Sequence, residues 1–381
     1  TIDNSKGGLQ NGIQDLEEEY LDGYKEIGEE ENLSLISEEE KDDINILENT
    51  EKIKYYNEYG GFSEDGKEYL IKVNNNNRLP TVWSHVLANE KFGTIVTENM
   101  GGYTWYKNSR LNRVSSWENN PSYDIPSEII YIKDEANQKI WSLGANPMPD
   151  DKNYNIVYGF GYCKYIHKSC GIEQELEIFV PREDSMKVNI LTLKNTTPNR
   201  KKLKIYYYMK PVIGEDEIKS NGYISVDFGK NNNILVAKNL YKTEEHSNLI
   251  YVSASEKINS YTGDKNFFLG DGGISNPQAL RKVRLNNENG LGKKTCIAYE
   301  IEVELESFGS KEISLILGAE ENLMDCKNTA YKYNKLSNCK QELIRCKNYW
   351  KELLRKITSI YTSRISKYYT KWLDSLPNNS K

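Results

Sequence analysis

The segment from residue 297 to 306 alternates strictly between two kinds of side chain. One set is Ala298 followed by four glutamates, and the other is apolar: Ile297, Tyr299, Ile301, Val303 and Leu305. A repeat of two residues places neighbouring side chains on opposite faces of a strand, whereas a helix repeats every 3.6 residues. The segment therefore predicts a β-strand with one face in a core and one face in water.

Further strands are predicted along the middle of the chain. Short runs of β-branched, aromatic or alternating residues occur at 68–73, 94–97, 174–180, 187–193, 202–209, 223–228, 234–237, 249–254 and 313–317. Many short strands without intervening helices are typical of antiparallel sheets. We expect a mainly β fold, a large antiparallel β-sandwich of roughly 270 residues. Only 38% of the residues are hydrophobic, so the 28 tyrosines must fill much of its core.

The periodicity changes near Glu320. Apolar residues now recur at spacings of three and four, first at Leu343, Cys346, Trp350, Leu353, Leu354 and Ile357 and then from Tyr361 to Leu376. This spacing predicts two or three amphipathic helices. An aromatic stripe runs along them at Trp350, Tyr361, Tyr368 and Trp372. We interpret the stripe as packing, with a ligand surface as the alternative.

Charge divides the chain into three parts. Residues 1–50 carry 16 acidic residues against three lysines, and residues 323–381 carry 13 Lys and Arg against four acidic residues. We expect an acidic linker or disordered segment at 1–51 with one short helix near 12–26, a β-sandwich domain at 52–322, and linker helices at 323–381. The basic residues belong to polar helix faces, so we expect no nucleic-acid partner.

Several kinds of site are missing from the sequence. It has no phosphate-binding loop and no GxSxG motif, and its six cysteines and three histidines lack zinc-ligand spacing. We therefore expect neither a cofactor nor a metal, and reduced cysteines in a cytoplasmic protein. No apolar run reaches the length of about 18 residues needed to span a membrane. The first residue is Thr1, which indicates a fragment or a processed chain.

Paired carboxylates are the groups that hydrolyse glycosides. The sequence has three adjacent pairs, at Glu64/Asp65, Asp150/Asp151 and Glu183/Asp184. Adjacent side chains on a strand or turn point apart, so we expect surface or turn roles and assign no catalytic residue.

Aromatic rings and amides cluster between residues 101 and 120. The candidate carbohydrate-binding residues are Tyr103, Trp105, Asn108, Arg110, Trp117 and Asn119, with Asn120 beside them. Aromatic rings stack on sugar faces, while amides and a guanidinium bond hydroxyl groups. The alternative is a loop whose tryptophans fill the sandwich. Upstream, the glycines of the stretch 60–69 are expected to serve turns at an opening strand.

At these residues the chain resembles a known family. The opening series Asn57-Glu58-Tyr59-Gly60-Gly61-Phe62-Ser63-Glu64-Asp65-Gly66 is followed in order by Trp83, Ala88-Asn89, Phe92-Gly93, Glu98, Gly102-Tyr103-Thr104-Trp105, Asn108-Ser109-Arg110, Trp117-Glu118-Asn119-Asn120-Pro121, Gly159-Phe160-Gly161-Tyr162, Tyr261-Thr262-Gly263-Asp264, Phe268-Leu269-Gly270 and Asn276-Pro277. Together they resemble the inverting glycoside phosphorylases, which include cellobiose phosphorylase and part of cyclic β-1,2-glucan synthase. The likeness covers about residues 55–320.

The resemblance implies an N-terminal β-sandwich (a supersandwich), then linker helices and an (α/α)6 barrel. Such enzymes cleave a β-glucoside with inorganic phosphate, or run the reverse, and are commonly homodimers. Their general acid is an aspartate early in the barrel, and phosphate is the nucleophile. This chain ends where that barrel is expected to begin, so Asp374 is not assigned the role.

Two functions are therefore open. The first is a non-catalytic, truncated portion of a β-glucan phosphorylase or glucan synthase, inactive alone, that binds a β-glucan oligosaccharide or supports the barrel. Its further partners would be the missing barrel segment and a second copy of the chain. The second is a protein-interaction module that uses the helical tail.

Overall fold

The computed structural model describes residues 43–48, 52–120, 122–229, 233–241 and 248–375, and excludes the side chains of residue 293 and of residues 358–375. The predicted helix at 12–26, most of the acidic segment and three aromatics of the predicted stripe (Tyr361, Tyr368 and Trp372) lie outside this description. From Ile44 onward the chain forms one structural unit.

The strands are, in chain order, β1 (Gly60–Phe62), β2 (Glu68–Val73), β3 (Ser84–Ala88), β4 (Phe92–Thr97), β5 (Gly102–Tyr106), β6 (Arg113–Ser115), β7 (Glu128–Asp134), β8 (Ile140–Ser142), β9 (Tyr154–Gly159), β10 (Tyr162–Ser169), β11 (Ile172–Phe179), β12 (Met186–Asn195), β13 (Lys201–Met209), β14 (Pro211–Gly214), β15 (Ile224–Gly229), β16 (Ile234–Asn239), β17 (Leu249–Ala254), β18 (Ser260–Asp264), β19 (Gly290–Leu291), β20 (Thr295–Leu305) and β21 (Ser310–Glu320). The α-helices are α1 (Glu217–Ser220), α2 (Lys265–Leu269), α3 (Leu323–Tyr333) and α4 (Leu336–Ser375), and 3₁₀ turns cover Gly270–Gly272, Gln278–Arg281 and Gly292–Lys294.

Within the described residues, the strands form one large sheet and two small ones. The large sheet has eleven strands in the order β1-β2-β9-β10-β11-β12-β21-β17-β16-β15-β19. The second sheet is β18-β20-β13-β7-β8 and the third is β14-β6-β5-β4-β3. The two small sheets share one apolar core with one face of the large sheet. The predicted mainly β fold, an antiparallel sandwich followed by amphipathic helices, is confirmed.

The alternating segment at 297–306 lies in β20 up to Leu305, the last residue of that strand. Its apolar set is buried, as predicted, with Tyr299 fully inaccessible in the main core. The opposite face is only partly exposed to solvent, because Glu302 and Glu304 are exposed whereas Ala298 and Glu300 are buried. Residues of the segment 268–285 cover that face and pack beside Ala298 in a separate apolar cluster. The alternating pattern of β20 could not predict that the segment 268–285 packs on its second face.

The predicted turn role of the glycines at the start of the sandwich is wrong for Gly60 and Gly61. Both lie inside β1, and Gly60 pairs with Ile71 of β2. A Cβ atom on Gly60 would lie 2.2 Å from the carbonyl oxygen of Leu70. The glycine is therefore required by the close approach of two backbones.

Helices α3 and α4 pack on the outer face of the large sheet. Residues of α3 and α4, including Tyr333 and Cys346, are buried against Met186, Val188 and Tyr251. Trp350 packs at the edge of this cluster and lies against Gly161. The packing interpretation of the aromatic stripe is thus confirmed at Trp350. None of the helices in the described ranges has the length and apolar character needed to cross a bilayer.

Tyr333 joins α3 to the large sheet. Its side chain is fully buried, and its hydroxyl donates a hydrogen bond of 2.5 Å to Asp184. We expect Tyr333→Ala to lower the free energy of unfolding by about 3–5 kcal/mol, because it leaves a cavity between helix and sheet. Urea denaturation measures this change. The matched control is Tyr331→Ala on the same helix, where the side chain is 72% exposed and little change is expected. Equal losses in both variants would contradict the buried contact.

Candidate functional site

The third sheet positions the candidate residues. Strand β5 pairs with β4, and Tyr103 and Trp105 lie two residues apart on the same face of β5. Trp105 sits opposite Gly93, where a Cβ atom would lie 2.2 Å from the indole ring. Gly93 therefore makes the space that Trp105 occupies. On the other face of β5, Thr104 is fully buried and turns toward the core.

Three aromatic rings and one guanidinium form the centre of the cluster. The Tyr103 ring stacks on Trp117, with centroids 4.6 Å apart and ring planes 16° apart, and lies 5.5 Å from Trp105. The Arg113 guanidinium lies 5.4 Å from the Tyr103 ring and 5.8 Å from Trp117. Because Tyr103 is only 6% exposed, its ring supports the two half-buried tryptophans rather than facing solvent.

Asn108 shapes the loop that follows β5. Its side-chain oxygen accepts hydrogen bonds of 2.9 Å from the backbone N–H groups of Arg110 and Leu111. The Ser109 carbonyl in the same loop accepts a 3.0 Å bond from the Tyr103 hydroxyl. These bonds fix an exposed turn above the aromatic cluster and place Arg110 at its tip.

Two of the predicted residues keep free polar groups. Arg110 and Asn119 are exposed, and neither side chain has a hydrogen-bond or ion-pair partner within the described residues. Asn119 also adopts a left-handed backbone conformation, with φ of 49°, which asparagine tolerates well. The neighbouring Asn120 instead uses its side-chain oxygen to accept a 3.0 Å bond from the Ser122 backbone. Arg110 and Asn119 are therefore the donors available to a ligand.

A buried acidic cluster fixes the turn between β4 and β5. Thr97 donates a 2.5 Å hydrogen bond to Asp124 and accepts one of 2.7 Å from the Gly101 backbone. Beside it, Glu98 accepts a 3.0 Å bond from the Trp83 backbone. Burial raises the pKa of Glu98 to about 7, and the negative charge of Asp124 contributes to the same shift. Burial also raises the pKa of Asp124.

The three carboxylate pairs have structural partners, in agreement with their expected surface and turn roles. Asp65 accepts a hydrogen bond of 2.9 Å from Ser63, and Asp184 binds Tyr333. Asp150 bonds the buried His167, whose ring stacks on Tyr154. Burial would raise the pKa of Asp150, but the hydrogen bond and charge of His167 lower it to about 2. All six cysteines are free thiols.

The sequence interpretation missed Arg113. Its guanidinium lies beside the stacked Tyr103 and Trp117 rings, 5.4 Å and 5.8 Å from their centroids. In the sequence, Arg113 is marked only by its position three residues after Arg110. Sequence spacing did not distinguish the exposed arginine from the one inside the cluster.

Residues 67–336 match the family described as "Glycosyl hydrolase 94, supersandwich domain". The chain belongs to this family. The resemblance noted from the sequence is thus confirmed. The supersandwich chain is 26% identical over 273 residues to the cyclic beta-(1,2)-glucan synthase NdvB of Rhizobium meliloti, with 71% of this chain and 10% of that protein covered.

Two chitobiose phosphorylases are similar to the supersandwich chain at the same level. The N,N'-diacetylchitobiose phosphorylase of Vibrio furnissii is 26% identical over 306 residues, covering 78% of this chain and 38% of that protein. The enzyme of the same name from Vibrio proteolyticus is 24% identical over 268 residues, covering 68% and 33%. The chain therefore spans between 10% and 38% of the length of these relatives.

The position of Trp105 depends on Gly93. We expect Gly93→Ala to lower the free energy of unfolding by about 1–3 kcal/mol and to shift the tryptophan emission, because the new methyl group overlaps the indole ring. Denaturation followed by fluorescence measures both effects. Gly222→Ala is the control, since a Cβ atom there meets no atom of the described residues within 4 Å. A Gly93→Ala variant as stable as the control would contradict this packing.

The raised pKa of Glu98 predicts a pH dependence of stability. Between pH 4.5 and about pH 7 the unfolded chain ionises this carboxyl while the folded chain keeps it protonated. Stability is therefore expected to fall as pH rises through this window, by up to about 3 kcal/mol. Glu98→Gln is expected to reduce that slope in urea titrations at several pH values, and Asp124, whose pKa burial also raises, accounts for what remains. The exposed Glu64→Gln is the control, and an unchanged slope in Glu98→Gln would show that another group titrates.

Proposed function

We propose that the chain is the supersandwich portion of a β-glucan phosphorylase or a cyclic β-1,2-glucan synthase-like protein, and that it contacts a β-glucan oligosaccharide. The chemistry of β-glucoside phosphorolysis or synthesis would reside on an (α/α)6 barrel outside the described residues. Family membership and the partial coverage of the relatives support this proposal. A second copy of the chain is the further partner that we propose.

The observation that carries the contact is the pairing of free donors with half-buried tryptophans. Arg110 and Asn119 are exposed without partners in the described structure, and Trp105 and Trp117 each keep part of the ring accessible. A sugar residue needs an aromatic face and hydrogen-bond donors at its edge, and this cluster offers both. Tyr103 would support the tryptophans from behind, and Asn108 would hold the loop that carries Arg110.

The interaction-module alternative has less support from the structure. The apolar face of α3 and of the first part of α4 is already buried against the large sheet of the same chain. A partner protein would have to displace this contact or use the apolar side chains that α3 and α4 expose, among them Met324, Tyr331 and Ile344. The cluster on the third sheet is therefore the better-supported binding surface.

Sophorose, a β-1,2-linked glucose disaccharide, tests the proposal. We expect it to bind with a dissociation constant in the millimolar range and to change the tryptophan fluorescence. Arg110→Ala is expected to raise that constant about tenfold, because it removes a charged hydrogen-bond donor worth about 1.5 kcal/mol. The matched control is Arg200→Ala, an exposed arginine that pairs with Glu304 on another sheet. Wild-type protein that shows no response to sophorose would refute the sugar contact.

A further inference from the structure

A pocket of about 280 Å³ lies behind the segment that carries Trp117. Ser116 and Glu118 line it, whereas Trp117 between them stacks on Tyr103. Successive side chains of an extended segment point to opposite sides, so this segment serves the aromatic cluster on one side and the pocket on the other. The pocket is thus separate from the cluster proposed above.

The pocket has an apolar floor and a buried polar group. Ile125, Leu269 and Ile274 supply apolar surface, and Ser127 lines the wall. Ser127 is 7% exposed, and its hydroxyl oxygen is almost inaccessible and has no hydrogen-bond partner among the described residues. A buried hydroxyl without a partner is costly, and native proteins satisfy almost all such groups. Rotation of the Ser127 side chain to another staggered rotamer would present this hydroxyl to a ligand hydroxyl in the pocket, which would supply the missing partner.

The charges at the rim are balanced. Lys210 is paired with Glu217 at 2.6 Å, so its charge is already compensated. Lys265 and Glu118 also line the pocket, and neither has a partner in the part of the chain that the structure describes. One free ammonium and one free carboxylate favour a neutral ligand with many hydroxyl groups over a strongly anionic one.

The side of the pocket that Lys265 and Leu269 of α2 form is held in place by local contacts. Asp264 caps α2 by accepting hydrogen bonds from the backbone of Asn266 at 2.8 Å and of Phe267 at 3.2 Å. Phe268 is fully buried and stacks on Tyr208, with centroids 5.1 Å apart. These contacts direct the next residue, Leu269, to the pocket floor. The pocket is therefore built from ordered elements on both sides.

We propose that this pocket binds one hexose residue of a neutral glucan, with the ring against Leu269 and Ile274 and a hydroxyl group accepting from or donating to Ser127. Its volume lies near the lower end of the range for small-molecule sites, about 300 Å³, which suits a single ring rather than a chain. The choice of a glucan rests on the proposed function, but the site does not share a ligand-facing side chain with the aromatic cluster.

Methyl NMR of the 381-residue chain tests this site with sophorose as the probe. The methyl groups of Ile125, Leu269 and Ile274 report the pocket, and those of Leu111 report the loop beside the aromatic cluster. We expect sophorose to shift both sets. Ser127→Ala is expected to weaken the pocket response about fivefold to tenfold while the Leu111 response stays unchanged.

Two further variants are compared with Ser127→Ala, one as a control and one that fills the pocket. Ser225→Ala is the matched control, because Ser225 is also buried with a hydroxyl that has no partner among the described residues, but it lies on β15, outside the pocket. It should leave the pocket response unchanged. Leu269→Trp fills the pocket and should abolish that response. If the thermal midpoint of Ser127→Ala matches that of wild type, the loss of binding is not a folding defect.

Three outcomes would overturn the site. Shifts at Leu111 alone would refute the pocket and leave the proposed function standing. The absence of any shift would refute both. If inorganic phosphate shifts Ile274 more than sophorose does, and Lys265→Met removes that response, the pocket is an anion site and not a sugar site.

Discussion

Every layer of this protein depends on covering both faces of the eleven-stranded sheet. Strand β12 shows the constraint most clearly, because Val188 faces the helices whereas Leu191 faces the small sheets. A sheet with two apolar faces is stable only between two covers. The helices α3 and α4 are therefore as much a part of the folded unit as the strands are. Trp350, beyond the last residue of the family match, still packs on this surface.

A buried ion pair links the site-bearing sheet to the others. Glu128 at the start of β7 pairs with Lys187 of β12, and both side chains are nearly inaccessible. The same carboxylate accepts hydrogen bonds of 2.6 Å from Thr104 and 2.7 Å from Ser115. A buried charge is tolerated when its hydrogen bonds are satisfied in this way. One carboxylate thus joins all three sheets and fixes β5, whose opposite face carries Tyr103.

The sequence predicted the parts of the fold that repeat and missed those that depend on tertiary cover. Alternation located the core face of β20, and the helical spacing located α4. Strand β7 was missed because both of its faces are buried, so its sequence does not alternate. Local composition predicted a cluster around Tyr103, but the burial of that ring depends on Trp117, fourteen residues away, and on Arg113. The pocket at Ser127 joins segments about 140 residues apart, which no local pattern records.

Each of the three apolar clusters contains a buried cysteine, whose rate of chemical modification reports the opening of that cluster. Cys163 lies in the main core, Cys296 in the cluster under the segment 268–285, and Cys346 in the helix contact, and each is buried. Burial raises the pKa of Cys346 to about 11, so its thiol is protonated and slow to react. An alkylating reagent reaches such a thiol only while its own layer is open. The modification rate of each cysteine would therefore measure how often its own layer opens.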